Sequence, residues 1–541
     1  MKPFEIENVM SIVFKYLNEN YSPDEVEHIK IEIEEIMGEH SIANQPANIS
    51  YSYEQVQEIL SSLNEKENIR KSKGVYYTPS DVVSFIIYNS FKLSNGMLKP
   101  DNLHVMDLNG VPFENICYRK RVFDPTCGAG EFLLNTLETK LDLLDLHFKK
   151  ITKDMISEVL LTIHGNDINP DSIILTKVRI FLTVLKRYGV KNIKDIAKIL
   201  NKNFYNYDYV CTDVDIETKY DIILGNPPYV EDSKSGLDLK KKYGNIYANV
   251  LDHASKQLSE GGTLGFIIPL SYVATPRMKK IRDELYDAVP EQYLLNYSDR
   301  PDCLFTSVHQ KLSILFARKK NSEKIIYTGN YTYWYKDERE GLFSTVQATK
   351  NNFVEEGFIP KIGSSTDANI YRKITRMNTP IESLFIEGNN PIYLNMRATF
   401  WIKAFLNEHK GSEYKKLSTR TPETSNFVIC LLNSSLFWWY WICVSDCWHI
   451  TKKELRGFKV PEITNFNTSN ELAVRLENKL EETKLFVGTK QTEYEYKHKR
   501  CIDEIHAIDD YINELYGLTL EESLYIKSFA YRYRVSGGAS K

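Results

Sequence analysis

Apolar residues recur with two different spacings along the chain. Over the first 70 residues, isoleucine and valine alternate with glutamate at helical spacing, and Ser22-Pro23 and Asn44-Gln45-Pro46 interrupt the pattern. Farther on, short apolar runs bounded by glycine, proline or acidic residues predict buried strands. Seven such runs lie near residues 122, 163, 206, 222, 265, 294 and 314. Helical patterns between several of these runs indicate an α/β domain.

One of these runs ends in Gly-Asn-Pro-Pro-Tyr at residues 225–229. Pro227 and Pro228 donate no backbone N–H and force an extended turn, which ends the strand. The turn would hold Asn226 and Tyr229 at the carboxyl edge of the sheet, where open α/β folds bind ligands. Two carbonyl acceptors and a flat ring suit a planar ligand with an exocyclic NH2 group. A strand end whose asparagine only caps a turn is an equally compatible interpretation.

Three other predicted strands are followed by an acidic residue. After the first, residues 124–134 form a glycine turn and a helix start, and the glycines at 128 and 130 let a ligand approach the backbone. This turn lacks the third glycine of a dinucleotide fingerprint and the Lys-Ser/Thr pair of a phosphate loop. An acid at this strand end suits an ammonium group, and the acid of the second strand, Asp167, suits ribose hydroxyls. Asp208 follows the third strand.

The Asn-Pro-Pro-Tyr sequence after an apolar strand resembles the catalytic motif of amino-methyltransferases that use S-adenosylmethionine, above all the N6-adenine DNA methyltransferases. Residues 124–133, Asp-Pro-Thr-Cys-Gly-Ala-Gly-Glu-Phe-Leu, resemble the glycine-rich motif of the same family, and Thr78 matches its segment beside the methionine end of the cofactor. The order of these motifs is that of the γ class. The resemblance covers about residues 70–320 and implies a Rossmann-like, seven-stranded class I α/β domain whose last two strands are antiparallel.

The resemblance also implies which residues form the site. Those implied in catalysis are Asn226, Pro227, Pro228 and Tyr229. Those implied in cofactor binding are Tyr77, Thr78, Asp124, Thr126, Cys127, Gly128, Gly130, Asp167, Ile168, Asp208, Tyr209 and Asn226. Tyr229 and Phe305 are expected to stack on the target base, although a loop-anchoring Phe305 is equally compatible. No metal site is expected.

Beyond residue 320 no further acid-tipped strand is found, and three segments resemble the target-recognition domains of type IIG enzymes: residues 429–438, 452–461 and 512–518. We therefore expect an N-terminal helical segment (1–70), a methyltransferase domain (71–320), an α+β DNA target-recognition domain (321–470) and a C-terminal helical region (471–541). The basic residues proposed to contact DNA phosphates are Arg372, Lys373, Arg376, Lys415, Lys416, Arg420, Lys452, Lys453 and Arg456.

The distribution of charge is compatible with DNA binding but does not require it. The net charge is −4, but residues 1–70 hold 5 Lys and Arg against 14 Asp and Glu, whereas residues 361–460 hold 14 against 8. Eight cysteines without a Cys-x-x-Cys pair indicate neither a zinc site nor a disulfide framework. Residues 427–444 lack charge, but the polar Asn-Ser-Ser at their centre favours one buried helix over a membrane span. The cytoplasm is the expected location, without a membrane.

The function that the resemblance implies is methylation of an adenine N6 in duplex DNA, by a monomer, with or without a separate restriction endonuclease. Cytosine N4 poses the same chemical problem, although Asn rather than Ser at position 226 favours adenine. Methyltransferases of ribosomal RNA guanine N2 and of a release-factor glutamine also carry Asn-Pro-Pro-Tyr, but they usually lack a large C-terminal domain. A catalytically silent DNA-binding defence subunit is the remaining alternative.

Overall fold

The computed structural model describes residues 6–38, 50–62, 78–213, 215–305, 309–321, 323–353, 355, 357–488 and 493–536. The α-helices are α1 Ile6–Asn20, α2 Pro23–Met37, α3 Tyr53–Ser62, α4 Ser80–Ser94, α5 Glu131–His147, α6 Lys153–Leu160, α7 Pro170–Tyr188, α8 Ile196–Asn203, α9 Asp232–Ser235, α10 Ile246–Lys256, α11 Ser271–Ala274, α12 Lys279–Ala288, α13 Ser365–Thr375, α14 Pro422–Asn433, α15 Ser435–Val444, α16 Lys452–Gly457, α17 Asn467–Thr483, α18 Ile502–Leu515, α19 Leu520–Ser528 and α20 Tyr531–Ser536.

The strands are β1 Val122–Asp124, β2 Ile163–Asn166, β3 Phe204–Tyr205, β4 Tyr220–Gly225, β5 Leu258–Pro269, β6 Glu291–Tyr297, β7 Leu312–Arg318, β8 Ile325–Thr332, β9 Thr349–Lys350, β10 Thr379–Pro380, β11 Asn390–Asn395, β12 Ala404–Phe405, β13 Tyr414–Thr419, β14 Lys459–Val460, β15 Leu485–Phe486 and β16 Tyr494–Glu495.

The first nine strands form one twisted sheet in the order β3-β2-β1-β4-β5-β7-β6-β8-β9. Strands β1 to β5 are parallel, and β7 lies antiparallel between β5 and β6. The class I methyltransferase fold is confirmed, with all seven predicted strands and the antiparallel last pair. Because β1 to β4 are parallel, their carboxyl ends meet at one edge of the sheet, and this edge carries the acid tips and the Asn-Pro-Pro-Tyr turn.

The sheet continues past residue 320, where the methyltransferase domain was expected to end. Strand β8 pairs in parallel with β6 along most of its length, and β9 pairs with β8. Without β8, the outer edge of β6 would expose its backbone N–H and C=O groups. The division of the chain into domains at residue 320 stays a prediction, but β8 is physically part of the central sheet.

The predicted N-terminal helices are present as α1, α2 and α3, and they pack on the helices of the central domain. Pro23 occupies the first turn of α2, where its missing N–H costs no hydrogen bond. Glu32 of α2 is buried and accepts hydrogen bonds from the backbone N–H groups of Asp195 (2.8 Å) and Ala197 (2.9 Å) at the start of α8. The N-terminal segment therefore caps a helix of the sheet domain.

The uncharged stretch 427–444 forms two helices rather than the single helix that we predicted. Ser434 adopts an extended conformation, and its hydroxyl accepts from the N–H of Phe437, so that α15 begins anew there. The aromatic run of α15 is buried, which identifies these rings as core. In the described part of the chain, no single helix has the length and apolar composition of a membrane span; only α14 and α15 taken together, bent by 60°, meet that criterion.

Candidate active site

Asp124 ends β1 and its carboxyl group is buried. Its Oδ1 accepts a hydrogen bond from the N–H of Thr126 at 3.0 Å. Burial raises the pKa of Asp124 to about 8, and the neighbouring charge of Asp167 acts in the same direction. Gly225, at the end of β4, permits this arrangement, since a Cβ there would lie 2.7 Å from the Asp124 Oδ1 atom. The acid of the first strand therefore lies directly against the residue before Asn226.

The glycine turn is fixed by the second acid tip. Asp167 accepts from the N–H of Gly128 at 2.9 Å and from the N–H of Asn169 at 2.8 Å. A carboxylate oxygen can accept more than one hydrogen bond, which suits ribose hydroxyls. Gly130 adopts a φ of 85°, and a Cβ there would meet Thr176 at 2.5 Å, so glycine is required at this position.

A residue that we did not predict holds the strand ends together. The side chain of Asn166 donates to the carbonyl oxygens of Pro125 (3.0 Å) and Tyr207 (3.1 Å), and its Oδ1 accepts from the N–H of Tyr207. One buried amide thus ties the loops after β1 and β3 to the end of β2. Its sequence signal was an asparagine directly before the acid tip.

At the third strand end, the side chains of Asp208 and Tyr209 have different environments. Asp208 accepts from the N–H groups of Val210 and Cys211, which orients its carboxylate. Tyr209, however, is buried, and its hydroxyl donates to Gln257 Oε1 at 2.7 Å. The side chain of Tyr209 thus belongs to the core, and its expected place in the cofactor site stays a prediction.

Asn226 is oriented by a residue far away in the sequence. Its Nδ2 donates to the hydroxyl of Thr78 at 3.1 Å, across 148 positions of the chain. Thr78 is buried just before α4, and Pro227 is buried behind the turn. The structure shows that Thr78 bonds to Asn226, and its expected contact with the cofactor stays a prediction. The predicted Tyr77 lies outside the described residues.

The rings of Tyr229 and Phe305 face each other, and Tyr229 also lines a cleft. The Tyr229 hydroxyl donates to the carbonyl oxygen of Ile267 at 2.9 Å, which fixes the ring. The two ring centroids lie 6.4 Å apart with an angle of 28° between the planes. The adjoining cleft has a volume of about 590 Å³. Its lining includes Tyr229, Lys234, Asn245, Arg277, His309 and Asp446.

The groups along this edge suit a ligand with an ammonium group, a ribose and a flat apolar ring. Asp124 and Asp167 supply the acceptors, and Ile168 is an aliphatic residue left 61% exposed. The buried hydroxyl of Thr126 has no hydrogen-bond partner among the described residues, and space is open beside Gly128. Burial raises the pKa of the Cys127 thiol well above its usual range, so this thiol is a poor nucleophile.

Two of the basic residues expected at DNA have structural roles. The Lys373 Nζ donates to Glu522 and to the Gly517 carbonyl oxygen, both at 2.6 Å. The Lys453 Nζ donates to the carbonyl oxygens of Ala274 and Val444. These ammonium groups therefore hold segments of the chain together, and their expected contact with DNA stays a prediction. Residues exposed on the surface are Arg376, Lys415, Lys416, Arg420, Lys452 and Arg456, the last paired with Glu382, while Arg372 is half-buried over Phe353.

Residues 162–300, which span β2 to β6 and include the Asn-Pro-Pro-Tyr turn, match the Eco57I restriction-modification methylase family. The chain carries a restriction-modification methylase domain. Curated relatives include the type II methyltransferase M.BstVI of Geobacillus stearothermophilus, 24% identical over 42% of this chain and 42% of the relative. M.PaeR7I of Pseudomonas aeruginosa is 24% identical over 36% of this chain and 32% of the relative. The matches thus span less than half the length of these relatives.

The methylase domain and the regions around it also have a counterpart among solved structures. The type IIL restriction-modification enzyme MmeI, solved in complex with DNA, aligns with 97% of this chain and 93% of its own with a TM-score of 0.54. The two sequences are 12% identical, so the similarity is one of fold.

Proposed function

We propose that this protein is a site-specific DNA methyltransferase that transfers the methyl group of S-adenosylmethionine to the N6 amino group of an adenine extruded from duplex DNA. One observation carries the proposal. The Asn226 amide, oriented by Thr78, and the facing rings of Tyr229 and Phe305 lie at the edge where the acid-tipped strands end, and Tyr229 also lines a neighbouring cleft. This edge would hold both the cofactor and a planar amine.

The acid tips would hold the cofactor. Asp124 would face the ammonium group of its methionine part, Asp167 the ribose hydroxyls and Asp208 the adenine amino group, with Ile168 packed on the adenine ring. S-adenosylmethionine supplies an activated methyl group on a sulfonium sulfur. The remaining requirement is a nucleophilic nitrogen placed in line with that methyl group.

Asn226 and Pro227 address the poor nucleophilicity of the target nitrogen. The lone pair of an adenine amine is delocalised into the ring, which leaves the nitrogen planar and weakly basic. Acceptance of its two hydrogens by the Asn226 side chain and the Pro227 carbonyl oxygen would favour a tetrahedral nitrogen with a localised lone pair. Transfer of the methyl group to this nitrogen would leave S-adenosylhomocysteine, and the N6 proton would pass to solvent. No covalent intermediate is needed, in agreement with the buried thiol of Cys127.

Tyr229 and Phe305 would offset the cost of extruding the base. Two rings in van der Waals contact with a base between them are separated by about 7 Å. The observed 6.4 Å is shorter than that distance and Phe305 is buried, so the two rings would move apart to admit a base. Stacking is worth about 1–3 kcal/mol per base, against a few kcal/mol for unstacking and unpairing.

Methyl transfer from labelled S-adenosylmethionine to duplex DNA, RNA and protein tests the proposal. We expect transfer to DNA by the purified chain alone, with N6-methyladenine as the product, and loss of transfer in Asn226→Ala with little change in cofactor or DNA affinity. Asn192→Ala is the matched control, since that side chain also donates to a neighbouring oxygen but lies beyond the far end of α7. Transfer by Asn226→Ala at the wild-type rate would refute the mechanism.

The other outcomes separate the alternative functions. N4-methylcytosine as the product would reassign the target base, and transfer to RNA or protein would reassign the substrate. Cofactor binding without transfer to any substrate would indicate a silent defence subunit. A complex with the mass of one chain per duplex would support a DNA-bound monomer.

A further inference from the structure

The guanidinium group of Arg339 joins two segments that flank the Asn-Pro-Pro-Tyr turn. Arg339 lies in the 3-10 turn Lys336–Gly341, which follows β8. Its Nε and Nη2 donate to the two carboxylate oxygens of Asp81 at 2.6 and 2.9 Å. Its Nη1 donates to the carbonyl oxygen of Cys303 at 3.3 Å. One side chain therefore binds both the first turn of α4 and the loop that carries Phe305.

The Asp81 end of this link leads to the catalytic amide. Asp81 lies in the first turn of α4, and its Oδ1 also accepts from the N–H of Val82 at 2.8 Å. Thr78, three residues earlier, accepts the hydrogen bond that orients Asn226. A displacement of the start of α4 would therefore move the partner of the Asn226 amide.

The Cys303 end leads to the aromatic pair. Cys303 is two residues before Phe305, and both are buried. The Phe305 ring faces Tyr229, the last residue of the turn. The distance between the Tyr229 and Phe305 rings thus depends on the contacts that hold the loop of Cys303 and Phe305.

The turn that carries Arg339 is itself anchored by the C-terminal helix α20. Glu338 accepts from the N–H of Tyr335 at 2.7 Å and from the hydroxyl of Tyr533 at 3.0 Å, and it forms an ion pair with Arg532. Residues from the end of the chain therefore hold in place the turn that carries Arg339.

We propose that Arg339 is a positioning residue for methyl transfer, which holds Thr78 and Phe305 in register on either side of the turn at 226–229. Arg339 is 23% exposed and Asp81 38%, and an ion pair of this exposure contributes little to overall stability. The planar guanidinium, in contrast, has enough donors in a fixed geometry to bind two partners at once. The catalytic part of this inference rests on the proposed function, whereas the physical link does not.

The test compares Arg339→Met and Asp81→Asn with a matched control, Arg187→Met, in the full chain. Arg187 is 25% exposed and donates to Asp145 (2.6 Å) and Asp142 (2.7 Å), but it lies at the end of α7 remote from the strand tips. Hydrogen exchange is measured in peptides covering residues 78–94 and 298–305. Both peptides should exchange faster in Arg339→Met and stay unchanged in Arg187→Met.

Steady-state kinetics give the second readout. A misplacement of about 1 Å can cost on the order of a hundredfold in rate, so kcat of Arg339→Met should fall by about ten- to a hundredfold. KM for S-adenosylmethionine should stay within about twofold, because the acid tips are untouched. Arg339→Lys keeps the positive charge but loses the planar set of N–H donors, so its kcat should stay low.

Three results would overturn the inference: unchanged exchange in either peptide, an unchanged kcat despite faster exchange, or full activity of Arg339→Lys. If the wild-type chain methylates no DNA, the proposed function fails, and the exchange comparison still decides whether Arg339 holds the two segments.

Discussion

Among single residues, Asp124 has the environment that most directly couples protonation to ligand binding. Burial raises its pKa to about 8, so the free protein holds a proton on this carboxyl group at neutral pH. The unfolded chain releases that proton near the ordinary carboxyl pKa. The folded state therefore binds more protons than the unfolded state between the two values, and its stability falls as the pH rises through this window.

The same shift predicts a pH-dependent affinity for S-adenosylmethionine. An ammonium group beside Asp124 favours the charged carboxylate, so binding below pH 8 should release a proton. Affinity should then rise by up to about tenfold per pH unit between pH 6 and pH 8. Calorimetry in two buffers of different ionisation enthalpy measures the released proton. Asp124→Asn should bind more weakly and without this pH dependence; a wild-type affinity that is constant from pH 6 to 8 would contradict the assignment.

At the scale of single residues, the sequence predicts which residues lie at the strand ends, but it does not predict their long-range hydrogen-bond partners. Asp124 and Asp167 were recognisable because an acid directly follows an apolar run. The bond between Thr78 and Asn226 was not, because no local pattern relates side chains 148 positions apart. Tyr209 also follows an acidic strand end, but its ring lies in the core and its hydroxyl bonds to Gln257, which no local pattern predicts.

Among elements, the strands of the central sheet were predictable because each is a short apolar run with a clear end. Strand β8 was missed since its place is set by the unpaired edge of β6 rather than by its own pattern. The break between α14 and α15 was underestimated for a local reason. The polarity of Ser434 interrupts the apolar run, but only the structure shows that its hydroxyl caps a new helix.

Helix α2 makes a prediction about stability. Glu32 satisfies two backbone N–H groups at the start of α8, whose N-cap residue Asp195 makes no side-chain capping bond. Glu32→Ala leaves both donors without a partner, and the free energy of unfolding should fall by about 1–3 kcal/mol. Urea denaturation measures the change. Glu34→Ala, which removes an exposed ion pair with Lys30, is the control and should be nearly neutral.

Strand β13 makes a prediction about DNA affinity. It exposes the consecutive residues Lys415 and Lys416, and neither forms an ion pair with another described residue. If both contact phosphates, their replacement by alanine should weaken binding to all sequences alike and reduce the salt slope of log K by about 1 per lysine. The exposed pair Lys149 and Lys150, beyond the far end of α5, is the control. An unchanged salt slope in the β13 variant would remove this strand from the proposed interface.

At the scale of the whole molecule, the central sheet and the C-terminal region share one hydrophobic core. Alternate residues of β4 enter different clusters: Ile222 and Leu224 lie in the cluster that also contains the N-terminal helices, whereas Ile223 lies in the cluster that contains α14, α15 and α17. This alternation follows from the period of a strand. The charge pattern divides the chain into an acidic front and a basic back, but the packing does not divide it at residue 320.

A shared core predicts that both regions unfold together. Five of the six tryptophans lie between residues 401 and 448, so tryptophan fluorescence reports mainly on the C-terminal region. Hydrogen exchange in peptides covering β1 and β4 reports on the sheet. Loss of the C-terminal region would expose the apolar residues around Ile223, and loss of the sheet would expose those of α15, so neither state should accumulate. The two probes should therefore give the same urea midpoint. A tryptophan transition that precedes the loss of protection in β1 and β4 would show that the C-terminal region is an independent folding unit.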